Sequence, residues 1–413
     1  MGAFATRRDA IWLKENTNMI NKIIGGILLS IGTTIGAGVL ALPMATAGGG
    51  FLHSIGLFIF AWLIMTFGAF YILEVNLWLP EHNNMISMAK ATLGKGGQLF
   101  TWIIYLLLFY TLLSAYIAGG SDLVTQLFKA LHLIIPQWLG GLIFVIVFGT
   151  IVHTGIRTVD RTNRLLMTIK LTAFVLLIVL VSPHVDLSRL YQGQPRLLSG
   201  ALMVVVTAFG YATIIPSLRT YFNSQVNALR WMIAIGSATT LFCFLLWNFV
   251  VQGSVDRLHL MQMASSPHAV SELTTSLSLT GAASIASIAH LFTIICVTTA
   301  FLAVSLSLWD FLADGMKVNK QKQIGRWQVT ITCLLPPFLI VVFWPGIFVK
   351  AIAYAGVICL VLLMFLPGLM AWSGRYVKRM AGGYQVWGGR GVLAIEIIIS
   401  AVLTVYGLIE VLK

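Results

Sequence analysis

The sequence predicts an all-α polytopic membrane protein with about eleven transmembrane helices. Of its 413 residues, 58% are hydrophobic and only 9% are charged, whereas soluble proteins carry about 25% charged residues. A soluble body of this size would expose more surface than 26 basic and 13 acidic residues can cover. Apolar runs of roughly 20 residues, the length that crosses a bilayer as a helix, recur along the whole chain.

Counting these runs gives eleven spans, numbered in chain order. They fall near residues 22–48, 51–79, 98–127, 136–155, 163–182, 196–218, 228–252, 284–312, 327–344, 347–372 and 391–412. The gap between spans 7 and 8, residues 253–283, is rich in Ser and Thr and predicts a short surface helix.

The net charge of +13 indicates orientation rather than nucleic-acid binding, because the basic residues lie scattered between apolar runs without a continuous cationic face. With residues 1–21 as a cytoplasmic N-terminal segment, 20 of the 26 Lys and Arg residues fall on the cytoplasmic side. That number includes Lys170, which lies within span 5. An odd number of spans then predicts a periplasmic C-terminus.

Spans 1 and 6 contain Gly and Pro at positions that interrupt a regular helix. Span 1 reads IGTTIGAGVLALP over residues 31–43, and span 6 reads FGYATIIPSL over residues 209–218. Irregular backbone at membrane depth is tolerated where it is buried in protein or lines a cavity. Gly32 and Gly36 also have the GxxxG spacing of close helix packing, so packing alone is the alternative explanation for span 1.

The first and sixth positions are those at which an inverted repeat of five plus five helices places a matched pair of broken helices. The pattern therefore predicts a first five-helix repeat over residues 22–182 and a second over residues 196–372. Residues 391–412 are then an additional C-terminal transmembrane helix.

The break in span 1 predicts a binding site for a zwitterionic amino acid. A broken helix offers N–H groups, which suit a carboxylate, and free carbonyls, which suit an ammonium. Gly32, Gly36 and Gly38 would let the substrate backbone approach closely, and Thr33 and Thr34 would add hydroxyl groups.

Lys170 lies inside span 5, about two helical turns beyond the charged start of that span. One interpretation is a side chain that snorkels to the cytoplasmic interface. The other is an ammonium buried where a coupling sodium would otherwise sit, able to load and release a proton during transport. Thr298, Thr299 and Ser305 on span 8 are candidates to face it.

Phe209 and Tyr211 flank the break in span 6 and are expected in the substrate site with it. Other residues within the spans are weaker candidates for function. Ionisable groups inside a membrane mark functional sites by default, although structural or interfacial roles are the alternative. The remaining candidates are Glu74, Asp122 and His290, together with Tyr110, Tyr116 and Tyr354 as further parts of the pocket wall.

The sequence contains no nucleophile elbow, no HExxH and no phosphate-binding loop. It therefore predicts a protein that is not an enzyme and that uses neither a cofactor nor a metal. A membrane-embedded enzyme would need a cluster of His, Asp or Cys at one membrane face, and a channel would need a filter loop. Neither feature is found in the sequence.

Several separated motifs resemble one family of transporters. GTTIGAGVLALP at residues 32–43, followed by ATAGGGF at residues 45–51, is similar to the opening of the hydroxy/aromatic amino acid permease family. That family includes the bacterial tyrosine-specific and tryptophan-specific permeases. Further motifs follow in the correct order across residues 20–412, among them residues 163–170, 209–217, 310–314 and 383–390.

The resemblance implies the LeuT-type fold of the amino acid–polyamine–organocation superfamily and proton-driven uptake of aromatic amino acids across the bacterial inner membrane. It implies that the break of span 1 holds the substrate backbone and that span 6, including Gly210 and Ala212, lies opposite. Lys170 matches a lysine of the tyrosine permeases. In a related proton-coupled transporter of the superfamily, a lysine of span 5 takes the place of sodium.

Ala212 departs from the family, whose span 6 usually reads FGFH where this chain reads FGYA. If the family histidine contacts substrate, its loss predicts altered specificity within the aromatic or hydroxy amino acids. Tyrosine is the first expected substrate, tryptophan the second, and phenylalanine or a hydroxy amino acid follows. The overall prediction is a proton symporter that works by alternating access, with no protein partner. A sodium-coupled carrier on the same fold is the alternative, which an ammonium at Lys170 disfavours.

Overall fold

The computed structural model describes residues 22–412 except 82, 155, 223–224, 280, 282, 317 and 319–322. The N-terminal segment 1–21 therefore lies outside the described residues. All regular elements in the described part of the chain are helices. Ten helical stretches are long and apolar enough to cross a membrane. One of these, Ala37–Leu77, joins the second half of span 1 to span 2, and Lys22–Thr34 supplies the first half of span 1.

Nine of the eleven spans follow the predicted order as single helical stretches, although span 10 is distorted. Spans 2 to 5 are Gly50–Leu77, Met85–Ala130, Gln137–Thr154 and Ile156–Val181. Spans 7 to 9 are Val226–Ser254, Ala283–Gly315 and Gln323–Phe343. Span 10 is Phe348–Leu360 and Leu366–Trp372, with π-helical turns at Val361–Phe365 and Ser373–Val377, and span 11 is Gly389–Leu412.

Span 3 begins earlier than the hydrophobic run predicts. Its first turn is fixed by a reciprocal cap, in which the Ser87 N–H donates to the Asn84 side chain at 2.9 Å and the Asn84 N–H donates to the Ser87 hydroxyl at 3.0 Å. Gly94 then kinks the helix with φ of 81°, a left-handed conformation that favours glycine. The kink separates a short leading segment from the apolar part of the span.

Two short helices, Arg257–Met263 and Ala269–Ser278, lie between spans 7 and 8 and are together called the lid. The sequence predicted one short surface helix in this gap. Asp256 and His268 occupy the positions before the two helices, and Pro267 precedes the second of them. The chain therefore turns between two helices where a single one was expected.

The centre of the bundle is built around the two interrupted spans. Glycines allow the closest approaches: a Cβ at Gly356 of span 10 would lie 1.9 Å from the Met203 carbonyl of span 6. A Cβ at Gly68 of span 2 would lie 2.1 Å from the Leu363 carbonyl of span 10. Spans 2, 6 and 10 thus pack backbone against backbone and fix the position of the breaks.

Candidate substrate and coupling site

Span 1 is interrupted between Thr34 and Ala37, as the glycine pattern predicted. Its first half is Lys22–Thr34 and its second half is Ala37–Thr46. Gly36 is extended, with φ of −124° and ψ of −156°, and precedes the second half. Because the first N–H groups of a helix have no acceptor within it, the amides of Ala37 and Gly38 are available to a ligand.

Span 6 is interrupted over a longer stretch. Ala201–Ala208 ends at Phe209, a 3₁₀ turn covers Gly210–Ile214, and Ile215–Tyr221 resumes the helix. Pro216 lies in the first turn of that last helix, where its missing N–H has no intrahelical role. Both predicted discontinuities are therefore present in the described chain.

A cavity of about 410 Å³ lies between the two breaks. Its volume falls within the range of about 300–1,000 Å³ that is typical of small-molecule sites. Spans 3, 5, 8 and 10 complete the wall. The residues that line it on the interrupted spans are Leu29, Gly32, Thr33, Thr34, Gly36, Gly38, Thr207, Ala208, Gly210, Tyr211, Thr213, Ile214 and Ser217.

The cavity opens toward the end of the bundle at which span 1 begins and span 6 ends. Thr33 on the first half of span 1, Ser217 on the last part of span 6 and Ser307 near the end of span 8 line the cavity and are exposed. Toward the opposite end, Tyr211 and Tyr116 are buried. Among the described lining residues, the exposed hydroxyl groups therefore lie at one end of the cavity.

Lys170 is 2% exposed, and its ammonium points into the bundle. The Nζ donates to the Gly32 carbonyl at the end of the first half of span 1, at 2.9 Å, and to the Thr299 hydroxyl of span 8, at 3.3 Å. Carbonyls released by a helix break are the groups that the sequence predicted for a cation. The lysine thus joins the broken span to spans 5 and 8.

The threonines near Lys170 differ in their placement. Thr33 and Thr34 line the cavity, but their hydroxyls donate to backbone carbonyls, at 2.8 Å from Thr33 to Ser30 and at 3.0 Å from Thr34 to Ser30. Thr298 is buried without lining the cavity, whereas Thr299 both lines it and accepts from Lys170.

Of the four span 6 candidates, the structure brings Gly210 and Tyr211 to the cavity. The Tyr211 hydroxyl donates to Thr66 of span 2 at 3.2 Å. Phe209 is fully buried away from the cavity and packs edge-on against Phe244 at 5.2 Å between ring centroids. Ala212 is likewise buried outside the cavity lining, because the 3₁₀ turn directs only part of the segment inward.

Of the weaker candidates too, some line the cavity and others lie away from it. Tyr116 of span 3 lines the cavity. Tyr110 faces span 9, where its hydroxyl donates to the Thr332 carbonyl at 2.8 Å, and Tyr354 donates to the Val411 carbonyl of span 11 at 3.2 Å. His290 is exposed on span 8, outside the cavity lining. The expectation that Tyr110 and Tyr354 form the pocket wall is therefore wrong for this conformation.

Glu74 also lies away from the cavity, in a buried ion pair with Arg375 at the end of span 10. Arg375 donates from Nε to one carboxylate oxygen at 2.7 Å and from a terminal nitrogen to the other at 2.5 Å. The Val386 N–H also donates to Glu74, at 2.7 Å, so this pair ties spans 2 and 10 to the segment before span 11.

Asp122 is far from the cavity opening and holds the lid. Its buried carboxylate accepts hydrogen bonds from the N–H and the hydroxyl of Ser271, each at 2.7 Å, and from the His268 ring at 3.1 Å. The hydrogen bond to Asp122 raises the pKa of His268, against a smaller opposing effect of burial. On the other lid helix, Arg257 donates to the Gly48 carbonyl just beyond span 1, at 3.2 Å. The lid thus closes the end opposite the cavity opening.

Several cavity residues escaped the sequence analysis. Tyr105, Phe109 and Leu112 of span 3 line the cavity with Tyr116. Their spacing of four, three and four residues places them on one helical face, and this periodicity was the available signal. Cys359 of span 10 also lines the cavity, but its sequence context resembles that of any small buried residue.

Comparison with known proteins gives a family match over most of the chain. Residues 19–407 match the model of the tryptophan/tyrosine permease family. The chain is 31% identical to tyrosine-specific transport system 1 of Haemophilus influenzae, over 93% of this chain and 96% of that protein. It is also 31% identical to the tryptophan-specific transport protein of the same organism, over 91% of this chain and 93% of that protein.

Among solved structures, the chain is similar to the manganese transporter of Eremococcus coleocola in complex with an aromatic bis-isothiourea compound. The TM-score is 0.66 at 13% sequence identity, covering 100% of this chain and 88% of that one. Identity this low shows the fold alone, which is the LeuT-type fold with interrupted spans 1 and 6. The predicted fold class is therefore confirmed.

Proposed function

The chain belongs to the tryptophan/tyrosine permease family, and on that premise we propose that it imports an aromatic amino acid, tyrosine first and tryptophan second, in symport with protons. It is a multi-pass membrane transport protein, which confirms the prediction that it is not an enzyme. The observation that carries the proposal is the cavity shared by both helix breaks and Lys170.

The substrate backbone would lie against the second half of span 1. The amides of Ala37 and Gly38 face a carboxylate, and the positive end of that helix dipole favours a negative charge there. An added Cβ at Gly38 would meet no heavy atom within 4 Å, so the space beside it is open. Gly210 on span 6 lines the opposite wall without a side chain.

The aromatic side chain would contact the face of span 3 that lines the cavity. Tyr105, Phe109 and Tyr116 supply rings and Leu112 supplies apolar surface, and Met167 of span 5 also lines the cavity. Aromatic rings pair favourably in offset or edge-on contacts, worth about 0.5–1.5 kcal/mol beyond area burial. This wall favours a planar aromatic group over the short polar side chain of a hydroxy amino acid.

Lys170 would couple the proton to the substrate. As an ammonium it stabilises the free carbonyl of Gly32, beside the proposed substrate position, and loss of its proton would weaken that contact. Substrate and proton would then favour the same arrangement of span 1. A sodium-coupled carrier is the alternative, and the ammonium disfavours it because like charges repel at close range.

Transport would proceed by alternating access in the bacterial inner membrane. In the orientation predicted from the Lys and Arg distribution, with the N-terminus cytoplasmic and the C-terminus periplasmic, the cavity would open to the cytoplasm and the lid would cover the periplasmic side. We propose that spans 1, 2, 6 and 7 rock against the rest. Each of the two proposed repeats, residues 22–182 and 196–372, would contribute two of these four moving spans.

Uptake into proteoliposomes tests the proposal. Labelled tyrosine, tryptophan, phenylalanine and serine are supplied under an imposed proton gradient or an imposed sodium gradient. We expect tyrosine or tryptophan to accumulate with the proton gradient alone. Uptake that follows sodium and ignores pH would refute proton coupling, and transport of none of these amino acids would refute the substrate class.

A matched pair of variants tests the place of the substrate. Gly38→Val fills the open space beside the proposed carboxylate site, whereas Gly56→Val adds the same side chain on an exposed face of span 2 with no neighbour within 4 Å. We expect the first variant to lose substrate binding and the second to retain it. Equal binding by both variants would contradict the proposed position.

A further inference from the structure

Glu396 of span 11 is a buried carboxyl group without a hydrogen-bond partner. It is 6% exposed, and neither of its oxygens has a partner among the described residues. Most of the remaining span consists of aliphatic residues that face lipid. A carboxyl group in such a position needs an explanation, because buried polar groups are nearly always satisfied.

A glycine on span 10 makes room for this carboxyl group. A Cβ at Gly368 would lie 2.1 Å from Oε2 of Glu396, so the carboxyl group occupies the space that a side chain there would fill. Gly368 lies between the two π-helical turns of span 10. Such turns are rare and are often found at functional sites. Spans 10 and 11 thus form a built pocket around Glu396.

Within the part of the chain that the structure describes, the basic side chains nearest Glu396 are already engaged elsewhere. The guanidinium of Arg375 on span 10 is already engaged by both oxygens of Glu74 on span 2. Arg390, at the start of span 11, lies over the Tyr376 ring at 4.5 Å. Tyr71 of span 2 also interacts electrostatically with Glu396, and its hydroxyl has no hydrogen-bond partner among the described residues.

We infer that Glu396 is a proton-binding site of the transporter, occupied in this conformation and separate from Lys170. An ionised carboxylate held in apolar surroundings without a partner is strongly unfavourable, and protonation removes the charge. The neutral acid fits the pocket beside Gly368. A bound proton therefore stabilises the packing of spans 10 and 11 seen in this structure.

The site is positioned to affect transport at a distance. Cys359 of span 10 lines the substrate cavity. It lies nine residues before Gly368, a separation of roughly 13 Å along the helix. Span 2, which carries Tyr71, belongs to the group of spans that is proposed to move. Loss of the proton from Glu396 would place a charge where spans 10 and 11 pack together and would disfavour the conformation of this structure. The rate of substrate exchange should therefore fall at alkaline pH.

Infrared spectroscopy of the purified protein tests whether the proton is present. We expect a carboxylic-acid C=O band that disappears in Glu396→Gln and remains in Glu410→Gln. Glu410 is a matched control on the same helix, since its carboxylate accepts from the Ser199 hydroxyl at 2.8 Å. Absence of a band that depends on Glu396 would overturn the inference.

Substrate exchange at equal pH on both sides of the membrane tests the functional consequence. Glutamine imitates the neutral acid in shape and cannot ionise, so Glu396→Gln should fold and should show a smaller alkaline fall in exchange rate than the wild type. Glu410→Gln should keep the wild-type profile. An unchanged profile in Glu396→Gln would overturn the proposed effect on transport, since a purely structural role would not alter the pH dependence.

The exchange assay rests on the proposed function, whereas the infrared assay does not. If the wild type exchanges no aromatic amino acid, the proposed function fails and the infrared band still decides whether Glu396 holds a proton. If the wild type exchanges substrate and Glu396→Gln keeps its pH profile, only this inference fails.

Discussion

Replacing Asp122 by alanine tests how the lid is held in place. Asp122 is 1% exposed, and its carboxylate accepts from the Ser271 N–H and hydroxyl, each at 2.7 Å, and from the His268 ring at 3.1 Å. Ser271 lies in the first turn of the helix Ala269–Ser278, where an N–H has no intrahelical acceptor. Asp122 therefore caps a lid helix from span 3.

The expected destabilisation of the lid in Asp122→Ala follows from these hydrogen bonds. A hydrogen bond to a charged group contributes about 1.5–3 kcal/mol, and the two buried bonds to Ser271 share one residue, so their contributions are not additive. The His268 ring is half exposed, which reduces its share through solvent screening. We expect Asp122→Ala to destabilise the closed lid by about 2–4 kcal/mol. Asp122→Asn, which keeps the shape of the side chain but removes its charge, should destabilise the lid by a smaller amount.

Hydrogen–deuterium exchange measures this opening directly. Protection of residues 269–278 should fall on the order of 30- to 1,000-fold in Asp122→Ala. Asp256→Ala is the matched control, because Asp256 caps the other lid helix from an exposed position, accepting from Leu258 at 2.9 Å and from His259 at 3.1 Å. Its effect should be about 1 kcal/mol and confined to residues 257–263. Unchanged protection at 269–278 in Asp122→Ala would refute the capping role.

Three further predictions concern pH, packing and the cavity. Because the pKa of His268 is raised, the stabilisation that the protonated ring gives to the lid is complete below the ordinary histidine pKa of about 6.5. This stabilisation is lost as the pH rises through the raised pKa. Lid protection should therefore decrease over that interval, by less than about 1 kcal/mol, and a rise would contradict the assignment. Gly356→Ala should destabilise the protein by about 1–3 kcal/mol, because the new Cβ meets the Met203 carbonyl. Gly56→Ala should be tolerated, and equal melting temperatures of the two variants would refute the packing argument. Modification of Cys359 by a small thiol reagent, with the other cysteines replaced, should slow when substrate is bound, whereas an unchanged rate would place the substrate elsewhere.

The interrupted spans could be predicted because Gly and Pro act locally. The residues of both breaks follow from backbone chemistry. The scarcity of charge inside the spans singled out Lys170, but its contact with the Gly32 carbonyl of span 1 was not predicted. The number of spans followed from apolar length alone. These features depend on sequence within one or two helical turns.

Side-chain direction at the breaks could not be predicted. Phe209 and Ala212 flank Gly210 and Tyr211 in sequence, yet the 3₁₀ turn buries the first pair outside the cavity and directs the second pair into it. The role of Asp122 depends on a lid helix almost 150 residues later. Contacts of this kind are set by tertiary packing rather than by local pattern.

Proton coupling by Lys170 is tested by comparing the wild type with Lys170→Ala in proteoliposomes that carry an imposed proton gradient. We expect the wild type to accumulate tyrosine or tryptophan with a pH dependence that Lys170→Ala changes, while the variant still exchanges substrate across a membrane without a gradient. Accumulation by Lys170→Ala with the pH dependence of the wild type would contradict the assignment of Lys170 as the coupling group.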